Sequence, residues 1–197
     1  MRIFVALDID QSIRERISRF LDGVREFAPD ARWVRTEGLH VTLKFLGEQT
    51  PAAVDAIKAA LETLKSTRIS LAFRGYGFFP TPRAARVFWV GIEAGPELAE
   101  LAKRIDESTF ALGIPKENHS YAPHLTLARG GSGAPRRQET DVANRRFEQL
   151  QKKLASLSPP EFGSMTAQEF FLYESQLGRG GSRYSKLARF PLQQTHG

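Results

Sequence analysis

Leu39-His40-Val41-Thr42-Leu43-Lys44-Phe45 alternates apolar and polar side chains without a break. A period of two is the mark of a strand with one face in a core and the other open. By that count Leu39, Val41 and Leu43 point inward, His40 and Thr42 stand together on the open face, and Leu46-Gly47 ends the strand. The same count puts Lys44 beside His40 as a charge at the open edge and sends Phe45 to the core.

The pattern returns 84 positions later, where His124-Leu125-Thr126-Leu127 falls on His40-Val41-Thr42-Leu43. At the same shift Arg2-Ile3-Phe4-Val5 falls on Arg86-Val87-Phe88-Trp89, Ile17 on Leu101 and Leu21 on Ile105, with no gap. Chance supplies one such match, not the set. The simplest reading is one domain built from two copies of a strand-helix-strand-helix-strand unit, the first about residues 1–84 and the second about 85–197. Two long units make a duplicated lobe and not a solenoid.

The rest of the chain fits this order. Arg2 to Ile9 reads as a strand, and Ser12-Ile13-Arg14-Glu15 as a capping box opening a helix whose stripe is Ile13, Ile17, Phe20, Leu21, Val24 and Phe27. Thr50-Pro51 starts a second helix, with Val54, Ile57, Leu61 and Leu64 on its buried face. Strands are expected at about 69–73 and 86–92, a helix near 140–156, and strands near 165–173 and 184–190.

Composition narrows the chemistry. Of 197 residues 41% are hydrophobic, enough for a real core, and none is cysteine, so disulfides, thiolate nucleophiles and thiolate-held zinc are excluded. A formal charge of +6, spread along the chain, suits a polyanionic partner such as RNA. No apolar run approaches the roughly 20 residues a membrane span needs, and a cytoplasmic location is expected.

Each half thus offers one imidazole beside one hydroxyl. If a pseudo-two-fold axis relates the halves, the two His-Thr pairs face each other across a cleft. That suits hydrolysis of a cyclic phosphodiester, which needs a proton taken from water on one side of phosphorus and a proton given to the departing ribose oxygen on the other. Histidine, with an ordinary pKa of about 6.5, serves in either role near neutral pH. The hydroxyls of Thr42 and Thr126 can donate to non-bridging phosphoryl oxygens. With no His-Glu-x-x-His and no carboxylate at ligand spacing, neither a metal nor a cofactor is expected.

His40-Val41-Thr42-Leu43 and His124-Leu125-Thr126-Leu127 resemble the paired H-x-T-x motifs of the two-histidine phosphoesterase superfamily, in particular its RNA 2′,3′-cyclic phosphodiesterase branch, also called 2′-5′ RNA ligase-like. The flanks Arg2 to Leu7, Trp33-Val34, Pro123 to Arg129, Leu172 to Ser175 and Gly180 to Tyr184 carry the resemblance over nearly the whole chain. It implies an α+β, bilobal fold with an antiparallel sheet in each lobe lining a central groove and helices on the outer faces. It also implies that His40 is the proton donor, His124 the acceptor, and a 2′-phosphomonoester the product. The residue spacing alone leaves the two roles open. Arg129, five residues after His124, is implied as a phosphate contact, though strict alternation puts it on the opposite face and a twist at the strand end is needed.

The implied partner is RNA, or a nucleotide, with a 2′,3′-cyclic phosphate end; no membrane or obligate protein partner is expected. A monomer is expected because one chain supplies the whole groove. Reverse 2′-5′ ligation and, from another class, an RNA-binding module without catalysis are the competing readings. The latter has no RNP-like, zinc-knuckle or KH motif behind it. Gly130-Gly131-Ser132-Gly133 reads as a flexible connection, Gly178 to Arg183 as a wide hairpin with a basic tip, and His119 and His196 as surface histidines.

Overall fold

The computed structural model describes residues 1–130 and 146–194, and within them two antiparallel sheets. Strands β1 (Arg2–Leu7), β3 (Val41–Glu48), β8 (Glu169–Gly178) and β9 (Gly181–Pro191) form one sheet in the order β3-β1-β8-β9. Strands β2 (Arg32–Trp33), β4 (Ile69–Phe79), β5 (Val87–Ala94), β6 (His124–Arg129) and β7 (Glu161–Ala167) form the other, in the order β2-β6-β5-β4-β7. Each sheet draws on both halves of the chain, because β4 crosses to pair with β5 and β7 while β8 and β9 extend the sheet begun by β1 and β3.

The described helices are α1 (Gln11–Val24), α2 (Pro51–Glu62), α3 (Pro96–Phe110) and α4 (Glu148–Ala155). Their apolar stripes, Ile13, Ile17, Leu21 and Val24 on α1 for instance, join Val5, Leu7, Val41, Leu172, Phe73 and Phe88 in one continuous core behind the sheets. Thr50 caps α2 through its side chain, which accepts from the Ala53 amide at 3.1 Å. The capping box at Ser12 is not formed: α1 begins at Gln11, with Asp10 at the N-cap and no side-chain cap bond. The stretch from 165 to 173 divides between β7 and β8, and 140–145, 131–133 and His196 lie outside the described residues.

Register decides what faces the groove. Ala6 pairs with Thr42 and Val5 with Lys44, which leaves Leu43 without an opposite residue; Trp89 pairs with Thr126 and Phe88 with Ala128, which leaves out Leu127. Such a bulge puts two successive side chains on one face and reverses the alternation beyond it. Leu43 and Lys44 are accordingly both buried and Phe45 is 57% exposed, while Leu127 and Ala128 are buried and Arg129 is exposed. The expectations for Lys44 and Phe45 are therefore exchanged: the lysine goes inside and the phenylalanine faces out. The pairing also sets β1 against β5 at a shift of 83, with Val5 matching Phe88 and Leu7 matching Val90 in the core, one residue off the gapless match made from sequence.

Candidate active site

His40 immediately precedes β3 and His124 opens β6, and the two strands approach each other across the cleft with Cα atoms within 8 Å. Both imidazoles line one groove of about 1050 Å³, together with Thr42, Thr126 and Arg129. The Leu127 bulge, and not a strand-end twist, returns Arg129 to the face of His124.

The two rings are tethered alike. Nδ1 of His40 lies 2.7 Å from the Gly38 carbonyl and Nδ1 of His124 lies 2.8 Å from the Ala122 carbonyl, each acceptor two residues upstream. A carbonyl only accepts, so Nδ1 carries the hydrogen and Nε2 is left as the open nitrogen of each ring. Among the described residues neither Nε2, nor the hydroxyl of Thr42 or Thr126, has a protein hydrogen-bond partner.

Their surroundings differ. His40 sits in an aromatic cradle, with ring centroids 4.6 Å from Phe4, 5.1 Å from Tyr184 and 6.1 Å from Tyr173. Burial lowers its pKa; the Gly38 carbonyl and Asp8 work the other way, and Arg14 adds to the lowering. Arg14 holds Asp8 at 2.8 Å and donates to the carbonyls of Thr36 and Leu39, so it braces the turn that carries Gly38. His124 lies edge-on to Phe79 at 5.1 Å and near Trp89 at 6.4 Å.

Two ties run from β3 to the stretch between β5 and β6, beside the histidines. The buried Lys44 ammonium donates to Asp106 on α3 and, at 3.0 Å, to the Pro115 carbonyl. Burial works to raise the Asp106 pKa, but the hydrogen bonds from Lys44 and the Glu117 amide, with the charges of Lys44 and Lys116, outweigh it and hold the carboxyl below its ordinary value. Tyr121 donates its hydroxyl to the Thr42 carbonyl at 2.8 Å, and burial pushes its own pKa up. The segment leading to His124 is thus pinned to the strand of His40.

Against known families, the model of LigT-like phosphoesterases matches residues 7–89 and again 90–184. The chain belongs to the LigT-like phosphoesterase family. RNA 2′,3′-cyclic phosphodiesterases of Archaeoglobus fulgidus and Methanothermobacter thermautotrophicus are 33% and 30% identical to it, covering 96% and 98% of this chain and 99% of each relative. The Escherichia coli LigT structure complexed with 3′-AMP has a TM-score of 0.77 at 29% identity, covering 98% of both chains.

In this LigT-like groove the sequence reading identified the His-Thr pairs and Arg129 but missed the cradle and the ties. Tyr173 and Tyr184 stood within flanks already noted, and Phe4 sits in the opening strand. Asp106, Tyr121 and Arg14 had no local signal, since their partners lie 62, 79 and 22 positions away. His119 is exposed and also lines the groove. Among the described residues no three His, Asp or Glu side chains are grouped to hold a metal ion, and no helix is long and apolar enough to cross a membrane.

Proposed function

We propose that this chain is a metal-independent RNA 2′,3′-cyclic phosphodiesterase that opens the terminal cyclic phosphate to a 2′-phosphomonoester. The observation that carries the reading is the matched tether, which turns both Nε2 atoms loose in one groove. His124 takes a proton from water, the water oxygen bonds to phosphorus, the bond from phosphorus to the 3′-oxygen breaks, and His40 protonates that oxygen. Thr42, Thr126 and Arg129 steady the phosphoryl oxygens. Because burial lowers the His40 pKa, the donor role calls on the anionic phosphate to favour the imidazolium as substrate binds. With the 5′-hydroxyl of another RNA end in place of water, the same groups give 2′-5′ ligation: His124 takes the hydroxyl proton, the 5′-oxygen bonds to phosphorus, the bond to the 3′-oxygen breaks, and His40 protonates that oxygen.

Near-full-length relatives named RNA 2′,3′-cyclic phosphodiesterase support the reaction class, and the LigT complex with 3′-AMP supports a nucleotide-sized groove. The same reading takes the chain as one domain of two pseudo-symmetric lobes, acting as a cytoplasmic monomer. The test is hydrolysis of a nucleoside 2′,3′-cyclic phosphate in excess EDTA. His40→Ala and His124→Ala should each lose roughly 10²–10⁴-fold in kcat. Turnover that survives either substitution, or that the chelator abolishes, sinks the mechanism.

A further inference from the structure

The β8–β9 ribbon outruns its sheet. β1 last pairs with β8 where Arg2 meets Ser175; beyond that β8 pairs only with β9, through Gln176 with Arg183, Leu177 with Ser182 and Gly178 with Gly181. The connection is therefore a two-residue turn, Arg179-Gly180, and not the wide hairpin expected from the sequence. Ser175, Ser182 and Tyr184 of this ribbon line the groove, whereas Arg179 and Arg183 stand exposed outside it.

Another guanidinium, from a different element, reaches the turn of the ribbon. A Cβ built on Gly180 would lie 2.2 Å from Nη2 of Arg35, so the tip of the arginine occupies the space a side chain there would need. Arg35 comes from the segment between β2 and the turn that holds His40, and in that turn a Cβ on Gly38 would lie 3.1 Å from the Tyr184 ring. The ribbon and the approach to His40 therefore touch at two points.

Asp106 is committed to Lys44 and Asp8 to Arg14 and Lys186, while Glu117, which also lines the groove, has no ion pair among the described residues. The guanidiniums of Arg35, Arg179 and Arg183 have no ion pair or hydrogen bond among the described residues. Exposed guanidiniums without a counter-charge, two carried by the ribbon and one set against its turn, favour a polyanion, and arginine matches phosphate with paired donors.

We propose that Arg35, Arg179 and Arg183 form a second phosphate-binding site, one that grips the RNA backbone upstream of the terminal cyclic phosphate. The inference rests on the reading of the groove as the seat of an RNA end, and extends it to a preference for chains over mononucleotides. Each phosphate contact on a single strand adds about 0.7 to the slope of log affinity against log salt.

The test compares a nucleoside 2′,3′-cyclic phosphate with an oligoribonucleotide of about ten residues bearing the same end, across a salt series. The triple variant Arg35→Gln, Arg179→Gln, Arg183→Gln should lose about tenfold or more in kcat/KM on the oligonucleotide at low salt. Its salt slope should flatten by about 2, from three contacts at about 0.7 each, while turnover of the mononucleotide stays within about twofold. Gly180→Ala, which keeps every charge but displaces Arg35, should give a smaller loss on the oligonucleotide alone. Equal losses on both substrates, or none on the oligonucleotide, overturn the second site. If the unsubstituted protein cleaves neither substrate, the catalytic reading fails by itself. Fluorescence anisotropy with a 3′-phosphorylated RNA then decides the ribbon: unchanged affinity and salt slope in the triple variant refute it.

Discussion

β3 and β6 carry the same His-x-Thr pair, the same tether to a carbonyl two residues upstream and the same leucine bulge, yet they diverge immediately afterwards. Where β3 sends Lys44 inward to Asp106, β6 has Ala128; where β3 shows Phe45 to the groove, β6 shows Arg129. What the two strands share is what positions the two imidazoles. What they do not share gives β3 the tie to α3 and an apolar groove wall, and gives β6 the cation. The imidazoles inherit the difference, His40 within Phe4, Tyr173 and Tyr184, His124 between Phe79 and Trp89.

The largest expected effect separates the two histidines by role. A phosphodiester with a p-nitrophenolate leaving group needs no proton on departure. With that substrate His40→Gln should recover most of the roughly 10²–10⁴-fold it loses on a cyclic phosphate, while His124→Gln should stay slow. Recovery of the His124 variant instead would reverse the assignment of donor and acceptor.

Next in size is the tie that only β3 makes. Asp106→Ala strands the Lys44 ammonium at 2% exposure and should cost about 3–5 kcal/mol in denaturant unfolding. Lys44→Ala leaves Asp106 partly hydrated and still bound to the Glu117 amide, so about 1–3 kcal/mol is expected. Lys44→Met with Asp106→Leu, which makes β3 apolar there as β6 already is, should recover most of the loss. If the double variant is as unstable as Asp106→Ala, the site demands the ion pair itself and not merely compensation of its charges.

The bulges explain how far these strands could be read in advance. Alternation found both His-Thr pairs, and the repeat found their partnership, because those signals lie within a few residues of one chain segment. Nothing in Thr42-Leu43-Lys44-Phe45 marks a bulge: no glycine stands there, and the extra residue is defined only by the strand opposite, at Val5 and Ala6. The crossing of β4 and the Lys44–Asp106 pair are likewise long-range choices that local pattern cannot specify. Phe45→Ala puts the corrected register to the test. A core phenylalanine truncated to alanine costs about 3–5 kcal/mol, but at 57% exposure Phe45 should cost no more than about 1 kcal/mol. A core-sized loss in urea unfolding would restore the unbulged count.

The smallest effect comes from the depth of His40. Burial holds its folded pKa below the ordinary value of about 6.5, so over that interval the unfolded chain binds a proton that the folded one declines. Stability from this group is therefore fully present above about pH 6.5 and drains away as the pH falls toward the folded value. Urea unfolding between pH 8 and 5 should show the decline in the unsubstituted protein and a flatter profile in His40→Gln. Tyr184→Ala, by letting water reach the ring, should also flatten it. Asp8→Asn should steepen it, because Asp8 is a charge that favours the imidazolium while Arg14 opposes it. Four parallel profiles would mean that the cradle does not desolvate His40, and the contrast drawn between the two imidazoles would then reduce to the residues that follow each bulge.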